Sequence, residues 1–590
     1  DTLLGYAAGW TYQYDADGQV LDSTYATGSW YYNDTLHYFG VPFDVIKDWE
    51  IGRFITPYGI GLTLGSTGFR WTYDVTDYQW LLRDSVDLSA GNQQELIDLE
   101  FELIEGIPPR TVVAHQQPWG GLSSRTYADL DNNVALPPAV VSLHPDAAQW
   151  SLRTRLTGHG HNSNTGEYPH CCEWKNNSHY LYLNGSLADQ WNIWQVNDCA
   201  LNPVYPQGGT WLNSREGWCP GDLVKDHEVP LFGLAPGGTA TLDYDITPVP
   251  VNNQGMGGGN YVINMDLMEF SAPNHALDAE ILEVKRPSMA DMHRRNNPIC
   301  YDPLVVLRNA GATQLTSATF TYGVSGGTPE TFTWTGSLDH MERTEVVLPI
   351  SGSGFWVGDD AHRFTVSVGA PNGGTDAYGA NDTYHTDFTL PTVYSHVVVL
   401  HYKTNNRPNE TSMRIRDVSG TLVHSRTNHV ANTNYIDTLD LGEGCFTLEV
   451  IDTGNDGFSY WADPDAGTGF CRLKKPNGVA VKYFENEFGR SIVWPFTIAF
   501  ATGLEEVEAP FGVNAHPNPT HGQFTLALDG FTGTGLVEVM DAQGRTVHRA
   551  RPELYGNDRL ALDLSVQAGG IYLVRVSTAE RSAMIRVVKE

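Results

Sequence analysis

The stretch Phe446-Thr-Leu-Glu-Val450 decides the fold class. Apolar side chains at 446, 448 and 450 alternate with polar ones at 447 and 449, the period of two of a half-buried strand. The same pattern recurs in Phe364-Thr-Val-Ser-Val368 and Tyr572-Leu-Val-Arg-Val576. Gly, Asn, Asp and Pro bound such runs, as turns between strands require. Helical periodicity is nearly absent, and its best candidate, around Asp77 to Asp84, is short. The chain therefore reads as all-β, with several sandwiches in series. Its 590 residues exceed what one core organises, which also calls for several domains.

Composition narrows the function. The formal net charge is −33, and a surface this acidic repels phosphate backbones, so nucleic acid is excluded as a partner. No apolar run is long enough for a membrane span. Gly (60), Tyr (28) and Trp (16) are plentiful while charged residues are only 18%, a profile of β-rich, exported, glycan-facing proteins. The seven cysteines suit an oxidising compartment. Cys199 pairs with Cys219 and Cys445 with Cys471 in this reading. Cys171, Cys172 and Cys300 are left over, and Cys300 is one candidate partner for the vicinal pair.

Punctuation divides the chain. A Pro-rich step at Leu136-Pro137-Pro138 ends a first domain, residues 1–136, whose residues 1–49 read as an extended β insertion. A second domain, 137–290, ends in a polar, basic run (KRPSMADMHRRNN) suited to a linker. Residues 298–391, with LVVLRNAG and FTVSVGAPNGG as hairpin-bearing strands, resemble an immunoglobulin-like module. An accessory sandwich, 392–503, leads through LEEVEAP to a final module, 511–590.

Three tracts hold the chemistry. They are Glu50-Ile-Gly-Arg-Phe-Ile-Thr-Pro-Tyr-Gly59, then Thr157-Gly-His-Gly-His161 with His170-Cys-Cys-Glu-Trp174, then Asn202-Pro-Val-Tyr-Pro-Gln207 with Gly209-Thr-Trp211 and Arg215-Glu-Gly-Trp-Cys-Pro-Gly221. Trp174, Trp211 and Trp218 offer flat apolar faces for sugar rings. Arg215 offers a rigid fork of donors. Glu173, beside cysteines and an aromatic ring, sits where a carboxylate is fixed and tuned for acid–base work. Taken singly, each has a plainer reading: a solvated Glu, or an indole filling a core.

Together the tracts resemble the bacterial peptide-N-glycosidase F family, over about residues 44–287. The resemblance implies two adjacent eight-stranded jelly rolls with the site in the cleft between them. It implies hydrolysis of the amide between Asn and the first N-acetylglucosamine of an N-glycan, leaving Asp and releasing a glycosylamine. Partners would be N-glycoproteins or glycopeptides, read at the chitobiose core, and no cofactor is implied. The Glu of the family's Cys-Ala-Glu-Trp-Cys tract matches Glu173, a supporting catalytic residue, followed by Trp174. The Arg and Trp of its Arg-Ala-Gly-Trp-Cys-Pro-Gly tract match Arg215 and Trp218 at the chitobiose site, and Ile55 matches an apolar neighbour. The family also implies the Cys199–Cys219 disulfide. Its principal Asp lies in a Trp-Asp-Arg tract that this sequence lacks, so the expectation is that this residue stands upstream of residue 1. Asp44 and Asp48 lie too near the first tract to replace it. A surface glycan-binding protein without chemistry is the alternative, and a copper monooxygenase-like protein ranks third.

Two metal readings remain. His159, His161 and His170 contain a His-x-His pair, for which packing of the cleft wall is the preferred explanation. Asp452, Asp456, Asp463 and Asp465 supply closely spaced oxygens in a Gly-rich loop, a weak calcium pattern that lacks EF-hand spacing. Finally, Asn514-Ala-His-Pro-Asn-Pro519, Val537-Glu-Val-Met-Asp-Ala-Gln-Gly-Arg545 and Gly569-Gly-Ile-Tyr-Leu-Val-Arg-Val576 form a small module of about seven strands. It resembles the C-terminal sorting domain of type IX secretion, which implies a bacterial protein that meets the type IX machinery and ends up secreted or on the outer cell surface.

Overall fold

The computed structural model describes the chain apart from residues 1, 4–8, 17, 27–31, 34–46, 60–61, 63–67, 92–95, 132, 161–170, 249–257, 297–299, 395–396, 500–512 and 579–581. Almost every regular element is a strand. The one α-helix among the described residues is Tyr127–Asp131, and the helical candidate near Asp77 is a 3₁₀ turn, Thr76–Tyr78. No described helix is long and apolar enough to cross a membrane.

One sandwich occupies residues 112–270. A five-stranded sheet runs in the order His227–Leu231, Gln149–His159, Asn260–Phe270, Val112–Gln116, with Ser123–Thr126 also paired to Asn260–Phe270. The facing sheet runs Ser186–Asn192, Ser178–Leu183, Thr239–Ile246, Ala139–Ser142. Alternation along Gln149–His159 sends Trp150, Leu152 and Leu156 into the core between the sheets. Its other face carries Arg153, Arg155 and Thr157, which are also buried. Buried charges demand partners, and residues 47–81 and the neighbouring segment 226–228 each bring two. Glu50 and Asp226 clasp Arg155, while Asp77 and Glu228 clasp Arg153. Segments around residues 50–54 and 75–81 thus cover part of this sheet without strands of their own, apart from the bridge Phe54↔Leu223. The first of the two expected jelly rolls is not built as a sandwich among the described residues. Near the start of the chain, Gly9–Tyr14 pairs with Val20–Ala26 as a hairpin.

The strand Ala279–Arg286 pairs with Leu304–Asn309 and so belongs to the immunoglobulin-like sandwich, ahead of the basic run read as a linker. That run is anchored: the buried Arg295 guanidinium donates to the carbonyls of Asn202, Phe488 and Ser491. The accessory sandwich packs a five-stranded sheet on a four-stranded one around Phe446, Leu448 and Val450. Residues 513–589 form a separate unit of three- and four-stranded sheets, with Tyr572, Val574 and Val576 facing its core.

The disulfides correct the sequence reading. Cys199–Cys219 is present, but Cys445 bonds Cys300, and Cys171 bonds Cys172. Strand parity is the reason. Phe446, Leu448 and Val450 point into the accessory core, so Cys445 points the other way, towards Cys300. Cys471 lies on the opposite sheet facing that core, a free thiol whose pKa burial pushes up. A non-reducing peptide map should link Cys300 to Cys445 and leave Cys471 unreactive until the protein unfolds. Cys445→Ser should lower stability by about 2–4 kcal/mol, since it opens a loop of sequence separation 145. Recovery of a Cys445–Cys471 peptide would overturn the assignment.

Candidate functional site

The three tracts meet at one end of the five-stranded sheet. The first tract lies alongside residues 220–224: Ile55 donates to the Asp222 carbonyl (3.0 Å) and accepts from Gly221 (2.8 Å). Arg53, held by Glu50, reaches the Thr157 hydroxyl (2.7 Å) and the Val262 carbonyl (3.1 Å). Tyr58 is thereby laid against Gly209, where a Cβ would stand 2.6 Å from the ring. Gly209 also has φ +58°, so that position has two reasons to be glycine.

Arg215 is the hub. Its side chain is fully buried, and its Nε donates to Glu173 Oε1 (3.2 Å). Nη1 donates to the Trp211 and Asn213 carbonyls, and Nη2 to the carbonyl and hydroxyl of Thr210. The guanidinium carbon lies over the rings of Trp174 (4.3 Å), Trp218 (4.9 Å) and Tyr58 (5.7 Å), contacts that favour the cation. The sequence assigned this fork to substrate; in the folded chain its donors are engaged by the loop 210–213 and by Glu173. Trp218 is likewise buried, between Arg215 and the His159 ring (5.4 Å), with its indole N–H on the Gly158 carbonyl (2.8 Å). Trp211 is buried too and donates to Glu487 of the accessory sandwich (2.8 Å). Glu173 (side chain 16% exposed) and Trp174 remain partly open.

Two further rings border this surface, and the sequence reading did not single them out. Trp461, 61% exposed, donates to the Gly209 carbonyl (2.6 Å), and the Tyr460 hydroxyl reaches the same atom (3.4 Å). A continuous path of contacts then runs Trp461, Gly209, Tyr58, Arg215, Trp174. Trp461 lies about 250 residues beyond Gly209, so only the packing of the accessory sandwich brings it here.

Of the metal readings, His159 is packed: its Nε2 meets the Thr157 hydroxyl (2.7 Å), and burial, then Arg53, pushes its pKa down to about 4. His161 and His170 lie outside the described residues, as does Asp44. Asp48 is exposed. Asp452 and Asp456 come together with Glu410, with ligand atoms within 4.8 Å of one another. Asp463 instead pairs with Arg407 and caps the turn Pro464–Ala466, while Asp465 offers its carbonyl to Asn406.

Beneath the hub, Glu216 is a carboxyl the sequence reading passed over, although it stands where the family's tract carries Ala. It is fully buried and accepts from the Asn177 amide (3.2 Å). His179 Nε2 lies 3.3 Å away, but burial pushes His179 down to about 3, so this contact is a neutral hydrogen bond. Burial pushes Glu216 up to about 9, against the hydrogen bond from Asn177. A folded-state pKa above the unfolded one gives stability that is complete in acid and lost as pH rises towards that value. Glu216→Gln should therefore match the parent near pH 4 and be more stable at pH 7 by on the order of 3 kcal/mol. Denaturant melts at the two pH values check this; equal stability differences at both would refute a neutral Glu216.

Residues 126–268 match the family profile described as peptide-N-glycosidase F, C terminal, and residues 514–590 match the secretion system C-terminal sorting domain. Peptide-N(4)-(N-acetyl-β-D-glucosaminyl)asparagine amidase F of Elizabethkingia miricola is 26% identical over 249 residues, 39% of this chain. The chain spans 62% of that relative's length. A solved structure of a peptide-N(4)-(N-acetyl-β-D-glucosaminyl)asparagine amidase is 27% identical, covering 22% of this chain and 43% of its own, with a TM-score of 0.21. PNGase F of Flavobacterium meningosepticum, described as a glycosylasparaginase, is 22% identical, covering 26% of this chain and 53% of its own, with a TM-score of 0.21. The likeness to the peptide-N-glycosidase F C-terminal domain thus lies in residues 126–268, and the sorting-domain match at residues 514–590 indicates type IX secretion to the cell surface or beyond it.

Proposed function

We propose that this protein releases N-glycans from glycoproteins or glycopeptides by hydrolysing the amide between Asn and the first N-acetylglucosamine. Water adds to the amide carbonyl carbon, the C–N bond breaks, and the products are Asp and a glycosylamine. The observation that carries the reading is the Glu173–Arg215 pair, whose guanidinium also contacts the Trp174 and Trp218 rings, in the tracts that match the family. Glu173 is the carboxylate at the site that assists proton movement in this scheme. Arg215 acts through Glu173 and the two indoles, as a positioning residue, since its donors are already engaged. Sugar stacking falls to the partly exposed rings, Trp174 and Trp461, rather than to the buried Trp211 and Trp218. Ile55 contributes its backbone to the wall of this cleft.

Deglycosylation of a denatured N-glycoprotein by the protein with the family's principal Asp in place, followed by mass spectrometry of the Asn-to-Asp change, tests the reaction. Glu173→Gln should reduce release by about a hundredfold or more with the fold intact. Trp461→Ala should raise KM roughly fivefold at unchanged kcat, as expected for one lost ring–sugar contact. A folded wild-type protein that binds chitobiose and releases nothing would sink the enzyme reading and leave a glycan-binding protein.

A further inference from the structure

A second acid cluster stands where the jelly roll passes into the immunoglobulin-like sandwich. Asp278 immediately precedes the strand Ala279–Arg286 and is 0% exposed. Its Oδ1 accepts from Asn381 Nδ2 (3.0 Å), but its Oδ2 is buried with no hydrogen-bond donor. Asp376 and Asp382 approach it, so that one ligand oxygen from each of the three carboxylates lies within 4.8 Å of the others. Asp382 Oδ1 is a second buried oxygen with no donor, and Asn381 Oδ1 a third. Asp376 is aimed by the backbone, its oxygens accepting from Ala279 (2.9 Å) and Tyr378 (3.0 Å). The ion-pair partner of Asp278 is His275, 3.9 Å from Oδ2, and that Nε2 also meets the Ile107 carbonyl at 3.0 Å.

A fully buried carboxylate facing two others and lacking a strong counter-charge costs several kcal/mol unless a proton or a cation relieves it. Hard oxygens alone favour calcium or magnesium over zinc or copper. Magnesium keeps several of its waters and is seldom held by an all-protein cage, so a buried cluster of three carboxylates beside an amide oxygen suits calcium. An exported protein also needs only weak calcium affinity, of order 10⁻⁴–10⁻³ M.

We propose that Asp278, Asp376 and Asp382 bind one calcium ion that locks the jelly roll to the immunoglobulin-like sandwich. The site ties two segments together. Asp278 comes from the link between the jelly-roll strand Asn260–Phe270 and the strand Ala279–Arg286, and Asp376 and Asp382 come from the loop before the strand Thr383–Asp387. Tyr378, within that loop, donates its hydroxyl to the Glu105 carbonyl (2.8 Å), and its ring stacks on His275 (5.3 Å). Residues 105–111 lead directly into the jelly-roll strand Val112–Gln116. This inference is independent of the glycan-release reading.

The test uses the full chain, stripped with chelator, desalted, and titrated with calcium chloride or magnesium chloride. Asp382→Asn is compared with wild type, and Asp456→Asn serves as a control for the other acid group at Glu410, Asp452 and Asp456. Asp382 is partly exposed and the change conserves its shape, so the variant should fold. Calcium at a hundredfold excess over Kd should raise the melting midpoint by about 5 °C in wild type and in Asp456→Asn, and not in Asp382→Asn. Hydrogen exchange should slow at residues 275–282 and 374–384 on adding calcium to wild type. Unchanged exchange there, or wild-type calcium stoichiometry in Asp382→Asn, would overturn the site. An equal response to magnesium would overturn its assignment to calcium.

Discussion

The structure depends on a row of arginines buried on the outer face of a β-sheet. Arg153 and Arg155 lie on the strand Gln149–His159, on the side away from the hydrophobic core. Burial opposes their charge, yet Asp77 with Glu228 and Asp226 with Glu50 hold both pKa values well up. Burial likewise opposes the charge of Glu228, and Arg110 and Arg153 nevertheless keep its pKa at about 2. A buried pair of this kind adds little net stability over an apolar pair, but losing one partner costs about 3–5 kcal/mol. The lattice therefore dictates where residues 47–81 must lie, more than it deepens the fold.

That placement reaches the candidate site. Glu50 and Arg53 hold the EIGRFITPYG tract along residues 220–224, which seats Ile55 and Tyr58 against the loops bearing Arg215 and Gly209. Arg215 then fixes Glu173 and two indoles at once. The accessory sandwich closes the arrangement from the other side through Glu487, Tyr460 and Trp461. Residues of a module some 250 positions further along the chain thus form part of the wall beside Glu173.

Acid groups without cations recur in this chain, as its net charge of −33 makes natural. Where a carboxyl is shut away from solvent, as Glu216 is, neutrality is its stable state. Where several carboxylates converge at a junction between modules, a hard cation is the alternative. The same composition therefore has different physical consequences at different depths of burial.

The all-β class was legible in alternating runs such as Phe446–Val450 and Tyr572–Val576, because the period of two is a local property of a strand. The tracts around Glu173, Arg215 and Trp218 were legible too, because a resemblance to a family travels with contiguous residues. Other features were decided by tertiary structure. Sequence spacing brought Cys445 and Cys471 together, but strand parity pointed them to opposite sides of a sheet. Arg215 carries the same five donors in any context, and only the folded loop 210–213 shows that they are engaged. The strand Ala279–Arg286 belongs to the module that follows it because its hydrogen-bond partner is Leu304–Asn309. Trp461 joins the cleft, and Glu410 joins Asp452 and Asp456, across separations that no local pattern records. Local periodicity is written in the order of residues; the partners of donors, charges and thiols depend on which faces the packing leaves opposed.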